Sequence, residues 1–326
     1  MSDQPRYLLQ RYLLMTLDPV HPGAGGYRLG RVDNSIIREA GTRLPKIPGS
    51  SLHGAARSYA AYLYETPAAA GQSQDKIDKP EDNPVCYTFG YLKKKGNPNE
   101  RAFSGVVNIF DAHILLFPVH SLAGPVWVST QARLHDADFT VPNTPPEDKI
   151  LTTLKGHTSL NLGWLMLDVA GQATITAPAN WQGSDWNAVK DRIVLVSASL
   201  FGQIVNSNLE VRTSVAINPA TGAAEEHALY TYEAIPRATF LTTEVVLDDY
   251  NADKNNRPFP VEKTKKGNPL PGEKWQNPLD VVKAGLKMIE YLSIGGMGTR
   301  GFGRMRIVGD PVEKNPLAEI SQEAQA

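Results

Sequence analysis

Gly295-Gly296-Met297-Gly298-Thr299-Arg300-Gly301-Phe302-Gly303 sets backbone without Cβ atoms beside a hydroxyl and a guanidinium, with Arg304 next in line. Glycine lets amide groups approach a ligand closely, and a phosphate suits amides flanked by Thr and Arg. Gly296, Gly298 and Gly301 also fall at the spacing of a dinucleotide fingerprint. That fingerprint needs a strand before it and a helix after it, so that the pyrophosphate meets the helix N-terminus. Here a helical pattern precedes and a strand follows, with too little chain left for a second βα unit, so the context argues against it. A glycine-rich helix C-cap and tight turn is the plainer alternative. Arg300 to Gly303 opens like an aromatic RNA-recognition strand, but Arg304, Met305 and Arg306 stand where stacking rings belong.

Gly49-Ser50-Ser51-Leu52-His53-Gly54 looks at first like a nucleophile elbow. The residue two positions after Ser51 is His53 rather than Gly, so the sharp turn lacks its second glycine. A helix N-terminus with Ser50, Ser51, His53 and Arg57 is better suited to holding a phosphate. Leu134-His135-Asp136-Ala137-Asp138 gathers an imidazole and two carboxylates, a set that polar loops often assemble by chance. Asp33 lies in a glycine-rich loop after His21. A lone aspartate there is ordinarily a solvated carboxylate. With RNA as substrate one carboxylate is enough, because the 2'-hydroxyl is the nucleophile. The acid then acts as general base or holds a divalent ion against the phosphate.

The elements that must position these groups follow from periodicity and turn chemistry. Tyr7 to Leu17 reads as a strand, followed by a loop from His21 to Gly30. Ser50 or Ser51 is expected to cap a helix whose Leu52, Ala55, Ala56, Tyr59 and Leu63 share one face, while His53 and Arg57 point together from another. Residues 65–104 form an expected insertion, polar and mobile, with acids and lysines from Asp75 to Asp82 and Lys93-Lys94-Lys95. Gly105 to Leu116 reads as a strand pair, and the pattern continues through Val126 to Ala132. Residues 211–235 form a hairpin around Asn218-Pro219-Ala220-Thr221-Gly222. A basic insertion over residues 251–277 carries Lys254, Arg257, Lys263, Lys265, Lys266 and Lys274. A helix from Leu279 to Leu292 and a strand from Arg304 to Val308 close the pattern. Residues 310–326 are expected to be a frayed polar tail.

The chain has 326 residues, 41% of them hydrophobic and 21% charged. It can bury a sizeable core and shows no bias toward disorder. A formal net charge of -1 means that nucleic-acid binding must come from local basic patches. The single Cys86 excludes an internal disulfide framework and a Cys-rich zinc site. No leader is visible from Met1 to Arg11, and nothing approaches the roughly 18 apolar residues of a membrane span, so a cytoplasmic protein without membrane partners is expected.

Three segments in order resemble the start of the CRISPR-associated RAMP proteins: Asp18 to Gly25, Gly30 to Glu39, and Ile47 to Gly54. The late glycine-rich loop fits the same superfamily. Phe110-Asp111-Ala112-His113-Ile114-Leu115-Leu116-Phe117-Pro118-Val119 and Leu229 to Pro236 look like the backbone subunit of type III-B (Cmr) complexes, and the type III-A (Csm) backbone is the nearest alternative. The resemblance implies an α+β fold: one RAMP domain over 1–326, a modified ferredoxin-like core with inserted loops and residues 211–235 as a projecting thumb. It also implies copies assembled along a guide CRISPR RNA with other type III subunits, through heterologous contacts that make a helical filament.

In that family the Asp of the early loop is required for metal-dependent cutting of guide-paired target RNA. The matching residue is Asp33, expected to be catalytic and to hold Mg2+ or Mn2+, with His21 and Glu233 expected as further catalytic residues near the same site. RNA contacts are expected from Arg38, Lys46, Ser50, Ser51, His53 and Arg57, and from Gly295, Gly296, Gly298, Thr299, Arg300 and Arg304. His53 stands where the family often has Lys, and Asp18 where it has Thr. A scaffold without nuclease activity and a ribonuclease that processes precursor transcripts are the rival functions.

Overall fold

Neighbouring side chains of one strand feed two separate cores. In the strand Tyr7–Thr16, Tyr12 and Leu14 enter one apolar cluster, and Leu13 enters the other on the opposite face. A computed structural model describes residues 6–25, 32–71, 76–92, 102–225, 229–251, 257–317 and 320. Gly30, Arg31, Asp75, Lys93 to Lys95 and Lys254, together with 318–319 and 321–326 of the expected tail, lie outside the described residues.

In chain order the strands are β1 (Tyr7–Thr16), β2 (Lys46–Ile47), β3 (Gly90–Tyr91), β4 (Phe103–Ser104), β5 (Val107–Ile109), β6 (Ala112–Ser121), β7 (Gly124–Ser129) and β8 (Lys149–Thr152). They continue with β9 (Ser159–Leu162), β10 (Leu165–Gln172), β11 (Ile193–Leu195), β12 (Glu210–Ser214), β13 (Tyr230–Ala234), β14 (Phe240–Asp248), β15 (Met305–Ile307) and β16 (Val312–Lys314). The α-helices are α1 (Gly49–Leu63), α2 (Pro84–Phe89), α3 (Gln131–Asp136), α4 (Ser184–Val189), α5 (Ala198–Ser207), α6 (Pro278–Lys287) and α7 (Ile289–Leu292).

One sheet runs in the order β15-β1-β14-β6-β7-β11-β8-β10-β9, with β16, β2 and β5 on its flanks. At one end, in the order β15-β1-β14-β6, each strand is antiparallel to its neighbour. Helix α1 connects β1 toward β6, and α6 connects β14 to β15. Two interleaved split β-α-β units of this kind define a ferredoxin-like core. Helices α1 and α6 cross so closely that a Cβ on Gly285 would lie 2.1 Å from the Ala56 carbonyl oxygen. Between them Leu52, Val282 and Leu286 are buried, each contributing about 1.5–3 kcal/mol of apolar burial. Beyond β7 the sheet mixes parallel and antiparallel pairs, and Trp181, Trp186 and Phe139 fill the second core under α3 and α4. That half, from Arg133 to Leu209, is built from short strands and helices and lies outside the pattern expected from the sequence.

Several expectations need correction. Helix α1 begins at Gly49 with Pro48 as its N-cap and no side-chain cap. Neither serine caps it, because the Asp111 carboxylate at the start of β6 accepts the Gly49 N–H at 2.7 Å. Within residues 65–104, α2 is buried along its whole length, so the segment is not a mobile insertion throughout. Its start is fixed by Asn83, whose side chain accepts the Val85 N–H at 2.9 Å. Gly105 to Leu116 is not a strand pair, since β5 and β6 each pair with β14. The basic segment 251–277 is anchored by buried Val261, Leu270 and Trp275. The expected helix 279–292 divides at Met288 into α6 and α7. In the polar tail β16 pairs with β1, so the chain is not frayed from Gly309 onward.

Candidate functional site

Four separated segments meet beside β13. Val20 pairs with Ile235, His21 with Gly296, Gly23 with Ile36 and Asn34 with Tyr232. Strand β13 pairs on its other side with β12 to make the hairpin stem, from Glu210↔Ala234 to Ser214↔Tyr230. At the hairpin tip Asn218 accepts the Ala220 N–H at 2.9 Å, the Asx turn expected of that sequence. Aromatic packing binds stem to glycine loop. Tyr232 meets Phe302 edge-on at 5.4 Å, and Arg212 lies over the Phe302 ring at 4.6 Å.

Asp33 is exposed at the edge of this junction. Its Oδ2 accepts the Thr231 N–H at 2.7 Å and the Thr231 hydroxyl at 2.9 Å, and the Asp33 N–H donates to the same hydroxyl at 3.1 Å. These hydrogen bonds, the amide of Thr231 first, hold the carboxyl below its usual range. Oδ1 accepts no hydrogen bond among the described residues.

Glu233, two residues along β13, is buried and fully engaged. Arg38 donates to it bidentately at 2.6 and 2.8 Å, and the Ile36 N–H donates at 2.9 Å. Burial alone would raise this carboxyl, but Arg38 and the Ile36 amide together bring it below the ordinary value. Arg38 completes its contacts with Asn206 and the Ile36 carbonyl, so its guanidinium braces the junction from within. His21 is buried as well, with Nδ1 2.7 Å from the Glu233 carbonyl oxygen. A carbonyl only accepts, so Nδ1 carries a proton and donates it to Glu233.

The glycine loop owes much of its composition to the chain itself. A Cβ on Gly295, at φ 80°, would stand 2.7 Å from the His21 carbonyl oxygen, and one on Gly296 would stand 3.1 Å from the His21 ring. The Gly296 N–H donates to the His21 carbonyl at 2.9 Å. Gly298, Thr299, Arg300 and Arg304 face outward along a cleft of about 840 Å³ shared with Asp18, Ser293 and Tyr291. Arg300 leans on the Tyr230 ring and hydroxyl. Arg304 pairs with Asp18 at 2.5 Å, so Asp18 lowers the local positive charge.

The α1 residues are elsewhere. Ser50 is exposed and Ser51 half-buried at the helix start, where Lys46 pairs with Asp111 at 2.5 Å. His53 and Arg57 do share a partner, but it is α2. His53 packs edge-on against Phe89 at 5.0 Å, and Arg57 donates to the Phe89 carbonyl at 3.4 Å and, beyond the helix, to those of Ala69 and Gly90, both at 2.8 Å. Burial and the neighbouring Arg57 lower the His53 ring below its ordinary value. The triad His135, Asp136 and Asp138 is not assembled, because His135 bonds the Val141 carbonyl and Asp138 pairs with Arg11 and Lys314. Sequence reasoning missed Thr231 and Asp111, whose partners lie far along the chain.

Among the described residues no three His, Cys, Asp or Glu side chains cluster as a metal site. Asp33 nevertheless suits a magnesium-like ion, which is commonly held by one or two carboxylates with water and substrate phosphate supplying the rest. Its unpartnered Oδ1 is the donor such an ion needs.

A ferredoxin-like core, a hairpin stem braced on a glycine loop and an exposed cleft with two arginines define an α+β protein with one composite candidate site. The RAMP superfamily profile matches residues 13–306, and the chain belongs to that superfamily. It is 27% identical over 326 residues to the CRISPR system Cmr endoribonuclease Cmr4 of Pyrococcus furiosus, covering 93% of this chain and 96% of that protein. Its fold is similar to a chain of the type III-B Cmr-beta complex bound to cognate target RNA. There the TM-score is 0.60 at 16% identity, over 93% of this chain and 99% of that one. It is also similar to oligomeric Cmr4 from Pyrococcus furiosus, with a TM-score of 0.54 at 20% identity over 94% and 97% of the two chains. No helix among the described residues is long and apolar enough to cross a membrane.

Proposed function

We propose that this chain is a backbone subunit of a type III-B effector complex, binding a guide CRISPR RNA and cutting target RNA paired to it. Superfamily membership and the Cmr4 relative support the class, and the Asp33 junction carries the activity. Copies of the chain line the guide in a filament, flanked by other type III subunits. Exposed Gly298, Thr299, Arg300 and Arg304 take RNA phosphates, with Ser50 and Ser51 as a second contact at the α1 start. Arg38, Lys46, His53 and Arg57 support these surfaces through the internal bonds given above.

Cleavage asks for an in-line 2'-hydroxyl whose oxygen bonds the phosphorus as the bond to the 5'-oxygen breaks, a destination for its proton, a proton from water for the departing 5'-oxygen, and neutralisation of phosphate charge. Asp33 Oδ1 is the free basic oxygen of the junction and accepts that proton directly or orients it. Should Asp33 instead hold a divalent ion, Mg2+ or Mn2+, through Oδ1, that ion would polarise the phosphate and lower the barrier to attack. Glu233 stays ionised against Arg38 and holds Ile36 in place, while His21 ties the glycine loop to β13.

In the assembled complex with guide, complementary RNA and magnesium, wild type cuts and Asp33→Ala binds without cutting. Wild-type cleavage by Asp33→Ala sinks the catalytic assignment. The internal commitment of Glu233 and His21 favours a second reading, a guide-RNA scaffold without nuclease activity. In that case the target stays intact with the unaltered chain too.

A further inference from the structure

We infer that Thr231 is a positioning residue for Asp33, fixing which carboxylate oxygen is presented to the RNA. The inference rests on the reading of Asp33 above and deepens it. An exposed aspartate in a loop ordinarily samples several rotamers, and either oxygen can lead. Here the amide and the hydroxyl of Thr231 both bond Oδ2, at 2.7 and 2.9 Å. The hydroxyl also accepts the Asp33 N–H at 3.1 Å, so its proton and a lone pair are both engaged and the side chain is locked. Oδ1 is left as the reactive oxygen.

The backbone holds the loop without that hydroxyl. The Asn34 N–H donates to the Thr231 carbonyl at 3.0 Å, and the Glu233 N–H donates to the Asn34 carbonyl at 3.2 Å. Losing the hydroxyl therefore leaves the carboxylate on the Thr231 amide alone, able to turn about that one bond, while the loop stays docked. Thr231 also sets Asp33 relative to the phosphate-facing loop, because the next residue, Tyr232, packs on Phe302. One strand thus relates the cutting group to the glycine cleft.

Thr231→Val keeps the shape and β-branching that suit a strand and removes only the hydroxyl. In the assembled complex it is expected to lower kcat by about 10- to 100-fold, the scale of a misplaced catalytic group, with KM for target RNA unchanged. Hydrogen exchange over residues 34–38 should match wild type, since only the Asp33 amide loses its acceptor, and Thr231→Ser should restore most of the rate. Wild-type kcat in Thr231→Val, a change confined to KM, loss of exchange protection, or failure of Thr231→Ser to rescue each overturns the inference. Asp33→Ala measured alongside separates the two failures. If it cuts, the Asp33 reading falls; if it is inactive while Thr231→Val is fully active, only the role of Thr231 falls.

Discussion

Asp33 and Glu233 are carboxylates on the same seam, each bonded to a neighbouring segment across the β13 boundary, yet their surroundings assign them opposite work. Asp33 is held by one threonine through one oxygen and faces solvent with the other. Glu233 has both oxygens on Arg38, a third bond from Ile36 and only 7% of its side chain exposed. A carboxylate becomes available for chemistry when its environment leaves an oxygen unmatched. It becomes structural when every lone pair facing the protein is matched, since a buried charge without partners is strongly unfavourable. The same contrast separates the two basic regions. Arg300 and Arg304 line an open cleft, whereas Arg38 and Arg57 bond interior acceptors.

Swapping the two acids for neutral residues gives the sharpest test of this contrast. Asp33→Ala should reduce cleavage by about 100-fold or more, the range of general acid-base contributions, while the melting temperature and RNA affinity stay at wild type. Glu233→Gln should do the reverse and destabilise the fold by about 3 kcal/mol, because Arg38 is left as an uncompensated, largely buried cation; urea unfolding reads this directly. If Glu233→Gln unfolds like wild type but cannot cut, the roles of the two acids have been reversed.

A finer test is pH. The folded-state pKa of Glu233 lies below its ordinary value of 4.5, so its contribution to stability is fully present above that value and is lost as pH falls through the folded pKa. Urea unfolding between pH 6 and pH 3 should show wild type losing this stability and Glu233→Gln lacking that part of the loss. The smallest effect belongs to Asp18. Removing its charge with Asp18→Asn frees Arg304 and should tighten guide-RNA binding by about twofold at low salt, with the gain fading as salt rises.

Much of the scaffold was legible because its signals are local. The apolar run of Tyr7 to Leu17, the apolar stripe through Leu52 and Ala56, and the Asn-Pro turn at Asn218 each depend on nearby residues and appear where the local pattern placed them. The buried helix α2 escaped because its apolar residues sit in a short run amid polar sequence. Cys86 lies within it, in a helix with no exposed residue, and burial pushes its thiol up to about 11. The second half of the sheet escaped for a related reason: strands as short as Ile193–Leu195 carry no periodicity of their own and form only because neighbouring strands pair with them.

By itself, the sequence determined the family pattern, the glycine loop and the presence of an aspartate in the early loop. The glycines were expected for a ligand, and three-dimensional packing shows that Gly295 and Gly296 also make room for His21. Only the tertiary structure decided which acid is free, because the deciding partners are distant in the chain. Thr231 lies 198 residues from Asp33, and Arg38 lies 195 from Glu233. Hydrogen-bond partners so far apart leave no trace in local spacing, so the availability of an oxygen is a property of the folded seam between the early loop and β13.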